Sequence, residues 1–533
     1  MKKMIPILLM AALVATNFLY RQEPAAADQL PYDDISDSYA RNAIIRLNDI
    51  DVMKGTSASL FSPNRAISRA EFMTTLMRLF KVEPVASAVP AYTDVRKTDW
   101  YYGTVQAATE LGLTEGLGGG IFNPNQPLTR QEAAAWIVRA LKQTATAPVE
   151  PYGYKDDAIA AAWAKPYIGS VTELGLMQGS DGKFHPTQSI TRQETAVILD
   201  RLLQDVRWTG AIAASASPLI QIGWQYGQLT EAYQQSVLKS NVNVLAPRWY
   251  FLESTGTISD STVPSLVTWA KNNGKQVWAM VGNRFDQETT HKMLASSTLS
   301  SDAIQSLKSF VQKYGLHGIN VDFENVLASD RDLYTGFIAK LAKELHSVSA
   351  VLSVDLPPDL GSDWSDAYNY AELAKSADYL VIMAYDEHWS GYKAGSVASL
   401  GWVQKHLDKL LAKVPADRLI LGMPLYTRDW SLNGQGSTLS SEDISLPEQN
   451  KRIGAYGAVP KWNAEAAQYT MEYWKSGTKH RIWLEDARSL SAKFRLGSER
   501  AIAGYAYWHI GGESTDVWTS LKNAEKYAEY KFN

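Results

Sequence analysis

The segment HGINVDFE, residues 317–324, decides how the second half of this chain is read. Strand alternation places Asn320, Asp322 and Glu324 on one face and Ile319, Val321 and Phe323 on the other. Two carboxylates then share one side of a strand whose other side is apolar. Burying them costs several kcal/mol unless they are paired or neutralised, and the C-terminal mouth of a parallel barrel is where such groups do chemistry. A structural ion pair inside the barrel is the alternative. Outward from this segment, apolar runs alternate with amphipathic helical stretches, the pattern of parallel βα units. Strands are expected near 219–224, 242–247, 276–281, 318–324, 350–356, 378–386, 418–426 and 501–508. Eight strands within 218–533 fit an α/β TIM (β/α)8 barrel, with the long gap at 427–500 as an insertion between strands seven and eight.

N-terminal to this lies a unit repeated three times, most clearly as FSPNRAISRAE at 61–71, FNPNQPLTRQE at 122–132 and FHPTQSITRQE at 184–194. Each repeat opens on an aromatic residue and an aspartate: Tyr32 and Asp34, Tyr92 and Asp94, Tyr154 and Asp156. Ser68 with Glu71, Thr129 with Glu132, and Thr191 with Glu194 form S/T-x-x-E capping boxes, each predicting a helix start. Between them stand Arg69, Arg130 and Arg192, cations at the positive end of a helix macrodipole, where something must compensate them. A helix N-terminus with an arginine fork suits a carboxylate or phosphate ligand. An ion pair to an acidic neighbour, such as the repeat's own aspartate, is the structural alternative. The GLGGG run at 116–120 lacks a following Lys-Ser/Thr and reads as a turn.

The chain has 533 residues, too many for one domain at roughly 150 residues each. Its 45% apolar and 20% charged residues are those of a globular protein, and a net charge of −4 argues against a nucleic-acid partner. Lys2, Lys3, the apolar run Met4–Val14 and Ala25–Ala27 read as an export signal over 1–27. No second run is long enough to span a membrane, so no membrane span is expected after cleavage. With no cysteine at all, stability has to come from core burial. The eight histidines lack zinc-helix spacing; neither metal nor organic cofactor is expected.

The three repeats resemble the S-layer homology (SLH) domain, whose T-R-A-E type motif they carry. The resemblance implies an N-terminal all-α, trimer-like SLH module that binds pyruvylated secondary cell-wall polysaccharide, with Arg69, Arg130 and Arg192 gripping the pyruvate. Repeats are expected at 30–85, 91–145 and 152–205, a linker at 206–217 and the barrel at 218–533. The first repeat has Tyr39 where the second has Trp100, which weakens or removes its groove.

HGINVDFE resembles the D-x-x-D-x-D-x-E motif of family 18 glycoside hydrolases. MAYD, with Met383, Tyr385 and Asp386, resembles the family's M-x-Y-D; MPLYTR, with Tyr426 and Arg428, resembles its P-x-Y-x-R; Trp508 closes strand eight. The resemblance implies a retaining, substrate-assisted glycosidase acting on β-linked N-acetylglucosamine polymers, an exception to the two-carboxylate scheme. Glu324 is then the acid and base, Asp322 orients the 2-acetamido group, Tyr385 bonds its carbonyl, and Trp508 forms the sugar floor. Asn320, Met383, Asp386, Tyr426 and Arg428 complete the substrate-binding set. His317 and Asn320 stand where the family has aspartate, which predicts an Asp322 without its carboxylate neighbour and a shifted pH profile. NVDFENV at 320–326, YDEHW at 385–389 and HRIWLEDARS at 480–489 resemble the spore-cortex and peptidoglycan branch, so peptidoglycan strands are the expected substrate and the bacterial cell wall or S-layer the expected location. A chitinase or endo-N-acetylglucosaminidase on exogenous polymer, a non-catalytic wall-bound lectin, and a structural S-layer protein stay open as alternatives. Trp249, Trp389 and Trp430 are candidate stacking platforms, although most of the 13 tryptophans in 218–533 are expected in the core.

Overall fold

The computed structural model describes residues 30–145, 153–213 and 219–532. The export signal expected at 1–27 lies outside the described residues. So do 214–217 of the expected linker; its other part, Val206–Ala213, is helical instead, with Trp208 buried against Phe532.

Eight parallel strands close the barrel: β1 (Ile220–Gln225), β2 (Val244–Leu252), β3 (Gln276–Gly282), β4 (Gly318–Asp322), β5 (Val351–Leu356), β6 (Tyr379–Met383), β7 (Leu419–Pro424) and β8 (Gly504–Trp508). Each pairs with its neighbours in sequence, and β1 pairs with both β2 and β8, leaving no edge. The strands are buried on both faces because helices cover the outside and side chains fill the inside, as in β4, where all five residues are buried. Between β7 and β8 the chain builds a separate antiparallel sheet from Tyr426–Leu432, Thr438–Ser445, Lys461–Asn463, Gln468–Lys475 and Thr478–Leu484, with the helix Leu446–Tyr456. This is the expected insertion.

The repeats form three helix pairs whose second helices begin at Arg69, Arg130 and Arg192, each with a complete capping box. Short antiparallel bridges, Ser68 with Pro127, Thr129 with Ser189 and Ala66 with Thr191, join lobe one to two, two to three and three to one. Asp34, Asp94 and Asp156 do not pair with the arginines. Each carboxylate accepts two backbone N–H groups of its own Phe-x-Pro turn, at 2.6–2.9 Å.

Of the two readings of the motif arginines, ligand grip and a pair with an acidic neighbour, the structure shows the second, with a glutamate of the next lobe in place of the repeat's own aspartate. Arg69, Arg130 and Arg192 are buried and face the next lobe's capping-box glutamate: Arg69 with Glu132, Arg130 Nη1 with Glu194 at 2.8 Å, and Arg192 with Glu71 at 3.8 Å. Each Nε donates to a phenylalanine carbonyl, of Phe122, Phe184 or Phe61, at 2.8–2.9 Å. A glutamate that has already turned back to cap its helix presents its second oxygen to the neighbouring lobe, and this compensates the arginine at the positive helix end.

The module packs directly on the barrel. Phe80 contacts Tyr527, Tyr530 and Phe532, and Asn523 exchanges hydrogen bonds with the Glu83 backbone at 2.7 and 2.9 Å.

Candidate active site

The site lies at the C-terminal ends of the barrel strands. Asp322 ends β4, and Glu324 follows it on the loop. Asn283 pins that loop, accepting the Glu324 N–H at 3.0 Å and donating to its carbonyl at 2.7 Å, so the Glu324 side chain projects into the cleft. Tyr385 and Asp386 follow β6; Trp508 ends β8 and packs edge-on against Trp224. The sequence-expected set of Asp322, Glu324, Met383, Tyr385, Asp386 and Trp508 therefore lines one cavity of about 230 Å³. A larger cavity of about 620 Å³ shares Phe285, Glu324, Met383, Tyr385 and Asp386 with it and continues past Trp364 and Trp389. Glu324 stands where the two meet, in a trough sized for several sugar rings.

Burial pushes the Glu324 carboxyl well above the usual carboxylate range, and the neighbouring Asp322 and Asp386 push it further; the Arg248 guanidinium opposes them. Glu324 is thereby held as a neutral acid at neutral pH. Burial also raises Asp322, against the pull of Arg248. The Tyr385 phenol is raised by burial, then by Asp355 and Tyr426, so it stays protonated and can donate.

Tyr426 and Arg428 act on Asp386 and not as free ligands: the Tyr426 hydroxyl donates to Asp386 Oδ1 at 2.5 Å, and Arg428 bridges Asp386 at 3.4 Å and Asp443 at 2.6 Å. Both still line the rim with Trp508. Asn320 requires a correction. It is 0% exposed and its amide is fully used by the protein: the oxygen accepts the Trp224 indole N–H at 2.9 Å, and Nδ2 donates to Ser353 Oγ at 2.9 Å and Asp355 Oδ1 at 2.7 Å. It cannot touch substrate. His317 lies at the opposite, N-terminal end of β4, where Nδ1 accepts the Val277 N–H at 3.2 Å. The expectation that Asp322 lacks a carboxylate neighbour is also overturned, because Asp355 of β5 stands beside it. Among the tryptophans, Trp249 and Trp430 are core, 5% and 0% exposed, whereas Trp389 is 54% exposed on the larger cavity.

Sequence reasoning missed Asp355, Arg248 and Trp224. Each occupies a β-strand of the barrel, and the two charged ones carried a signal: an isolated charge within an apolar run, SVDL at 353–356 and LAPRWYFL at 245–252.

A desolvated acid beside a second carboxyl, in an aromatic-lined trough at a barrel mouth, is an arrangement that suits a glycosidase. Comparison with known proteins agrees: the model of glycosyl hydrolases family 18 matches residues 232–513, and the S-layer homology domain matches 31–73, 91–134 and 153–196. The chain belongs to glycosyl hydrolase family 18 and carries three S-layer homology repeats ahead of its catalytic barrel. It is 28% identical over 316 residues to the uncharacterized glycosylase YvbX of Bacillus subtilis, covering 57% of this chain and 91% of that protein. It is 27% identical to the cortical fragment-lytic enzyme of Bacillus cereus, over 50% of this chain and 64% of the relative, so it spans less than two thirds of that enzyme's length. Among solved structures, a chitinase from Chromobacterium violaceum aligns with a TM-score of 0.54 and 25% identity, over 58% of this chain and 99% of that one.

Proposed function

We propose that the protein is a cell-wall-anchored, retaining hydrolase of β-linked N-acetylglucosamine polymers, with peptidoglycan glycan strands as substrate. The observation that carries this reading is the placement of Glu324 at the junction of the two cavities, lining the smaller one together with Asp322 and Tyr385, where burial and the neighbouring carboxyls raise its pKa. Glu324 gives its proton to the glycosidic oxygen as that bond breaks. The carbonyl oxygen of the sugar's own 2-acetamido group attacks the anomeric carbon from the other face, forming an oxazolinium ring. Ionised Asp322 accepts the acetamido N–H and offsets the developing positive charge, while Tyr385 donates to the acetamido oxygen and aligns it. Trp508 forms the apolar floor under the ring. The Glu324 carboxylate then takes a proton from water, whose oxygen opens the ring and restores the original configuration.

The repeats supply the anchor, with pyruvylated secondary wall polysaccharide as ligand. Because the motif arginines are buried, the exposed aromatics Tyr39, Trp100 and Trp163, one per lobe, are the better candidates for contact with the polymer. The likeness to the cortical fragment-lytic enzyme favours peptidoglycan; the likeness to the chitinase fold favours chitin as the second reading.

The test is product analysis of the protein and Glu324→Gln on peptidoglycan and chitin oligomers in parallel. Fragments with reducing-end N-acetylglucosamine released from peptidoglycan, and lost by at least a hundredfold in the variant, are expected. Cleavage of chitin oligomers alone selects the second reading. Binding without product from either polymer makes the barrel a lectin and refutes the hydrolase.

A further inference from the structure

The ladder between β4 and β5 pairs Asn320 with Ser353 and Val321 with Val354. One residue further along, Asp355 lies beside Asp322 on the inward face, across a strand spacing of about 4.8 Å. Both side chains are buried, 1% and 8% exposed. Each has one carboxylate oxygen without a hydrogen-bond partner, Oδ1 of Asp322 and Oδ2 of Asp355. Two such orphaned oxygens on adjacent strands have a common remedy, a proton placed between them.

The surroundings decide where that proton resides. Asp355 Oδ1 is taken by the Asn320 Nδ2 donor, and that amide cannot turn over, because its oxygen holds the buried Trp224 indole N–H, a group that can only donate. The charged and titratable groups facing Asp355 are Asp322 from β4, Glu324 after it, Tyr334 from the helix Arg331–His346 and Tyr385 after β6, with Arg248 from β2 in the same cavity lining and acting on Asp322. Arg248 is the one cation in this group. Three neighbouring carboxyls, two buried and the third, Glu324, half-buried, cannot all ionise opposite one guanidinium.

We propose that Asp355 is a positioning residue that carries a proton and presents it from Oδ2 to Oδ1 of Asp322, holding Asp322 ionised and aimed at the substrate's acetamido nitrogen. Asp355 itself touches no substrate. Burial, followed by the charge of Asp322, holds the Asp355 carboxyl well above the usual range, in keeping with a neutral acid. No proton is consumed: the O–H bond stays on Asp355 while Asp322 bears the negative charge opposite the oxazolinium. Asn320 locks the donor's other oxygen, so the strand-four position that cannot titrate orients the strand-five residue that can. The role in catalysis rests on the hydrolase reading above; the location of the proton does not.

The first experiment is infrared difference spectroscopy of the full chain at neutral pH without substrate. Asp355→Asn is nearly isosteric and keeps the acceptor for Asn320. Against wild type it is expected to lose one protonated-carboxyl C=O band, and that band is expected to shift in Asp322→Asn. No lost band means Asp355 is ionised, and a lost band that is unmoved in Asp322→Asn means its proton faces another group; either result overturns the proposal. The second experiment is the pH dependence of kcat/KM. In Asp355→Leu the ionised Asp322 loses its donor, so the acidic limb moves up by about one pH unit. In Asp355→Asn the amide N–H replaces the donor, and the limb stays within a few tenths of a unit. An unmoved limb in folded Asp355→Leu overturns the proposal, and if that variant does not fold the infrared result decides. Absence of product from the wild-type protein would instead remove the hydrolase reading, and the infrared bands would still decide where the proton resides.

Discussion

Replacing Glu110 by glutamine probes the joint between the repeat module and the barrel. Glu110 ends the helix Tyr102–Glu110 and is 3% exposed. Ser87 donates to one carboxyl oxygen at 2.7 Å, and Ser520, from the barrel helix Val517–Glu529, to the other at 2.5 Å. Burial, far more than the nearby Asp486 and Asp516, pushes its carboxyl up from 4.5 to about 8, against the two serine bonds. Between those two pH values the native state holds a proton that the unfolded chain has released. This contribution to stability is fully present below pH 4.5, falls as pH rises, and is exhausted above about 8. A gap of roughly three and a half units at about 1.4 kcal/mol each sets an upper bound of ~5 kcal/mol. Local opening of the joint, which returns the carboxyl to water, reduces that figure. The assay is urea unfolding of wild type and Glu110→Gln at intervals from pH 5 to 8, with hydrogen exchange followed in 102–110 and 517–529. The stability of the variant relative to wild type should rise by about 3–4 kcal/mol across that range, with earlier exchange at the joint in wild type at the alkaline end. Stability curves that run parallel within ~1 kcal/mol would show that Glu110 is ionised in the native joint and refute the reasoning.

Two further substitutions test the anchor and the cleft. Arg130→Ala leaves Glu194 and the carbonyls of Phe184 and Gln178 without their donor; calorimetry should show the repeat module losing about 3–5 kcal/mol, whereas unchanged stability would return the arginine to the open, ligand-gripping role. Trp389→Ala should raise KM for long glycans about three- to tenfold with kcat nearly constant, through lost ring stacking; a fall in kcat at constant KM would place Trp389 in the chemistry instead.

The positions of all eight barrel strands were legible because a strand and the helix after it write their own periodicity within a dozen residues. The alternation in 317–324 separated Asp322 and Glu324 from their apolar neighbours for the same reason. The capping boxes at Ser68, Thr129 and Thr191 were equally local, since cap and partner lie three residues apart. Misreadings arose where the partner is distant. Asn320 looked like a ligand until Trp224, 96 residues away, and Asp355, 35 residues away, took up its amide. Arg130 suggested an acidic partner in its own repeat, and the partner is Glu194, 64 residues on in the next lobe.

Short-range pattern thus determined, from the sequence alone, that the chain holds three helical repeats and a parallel barrel, and which strand end carries Asp322 and Glu324. Tertiary structure alone decided which charges neutralise one another, which tryptophans face water, and that a carboxyl from β5 stands beside Asp322. Those outcomes depend on desolvation and on contacts between residues far apart in the chain, which closure of the barrel and docking of the module create together.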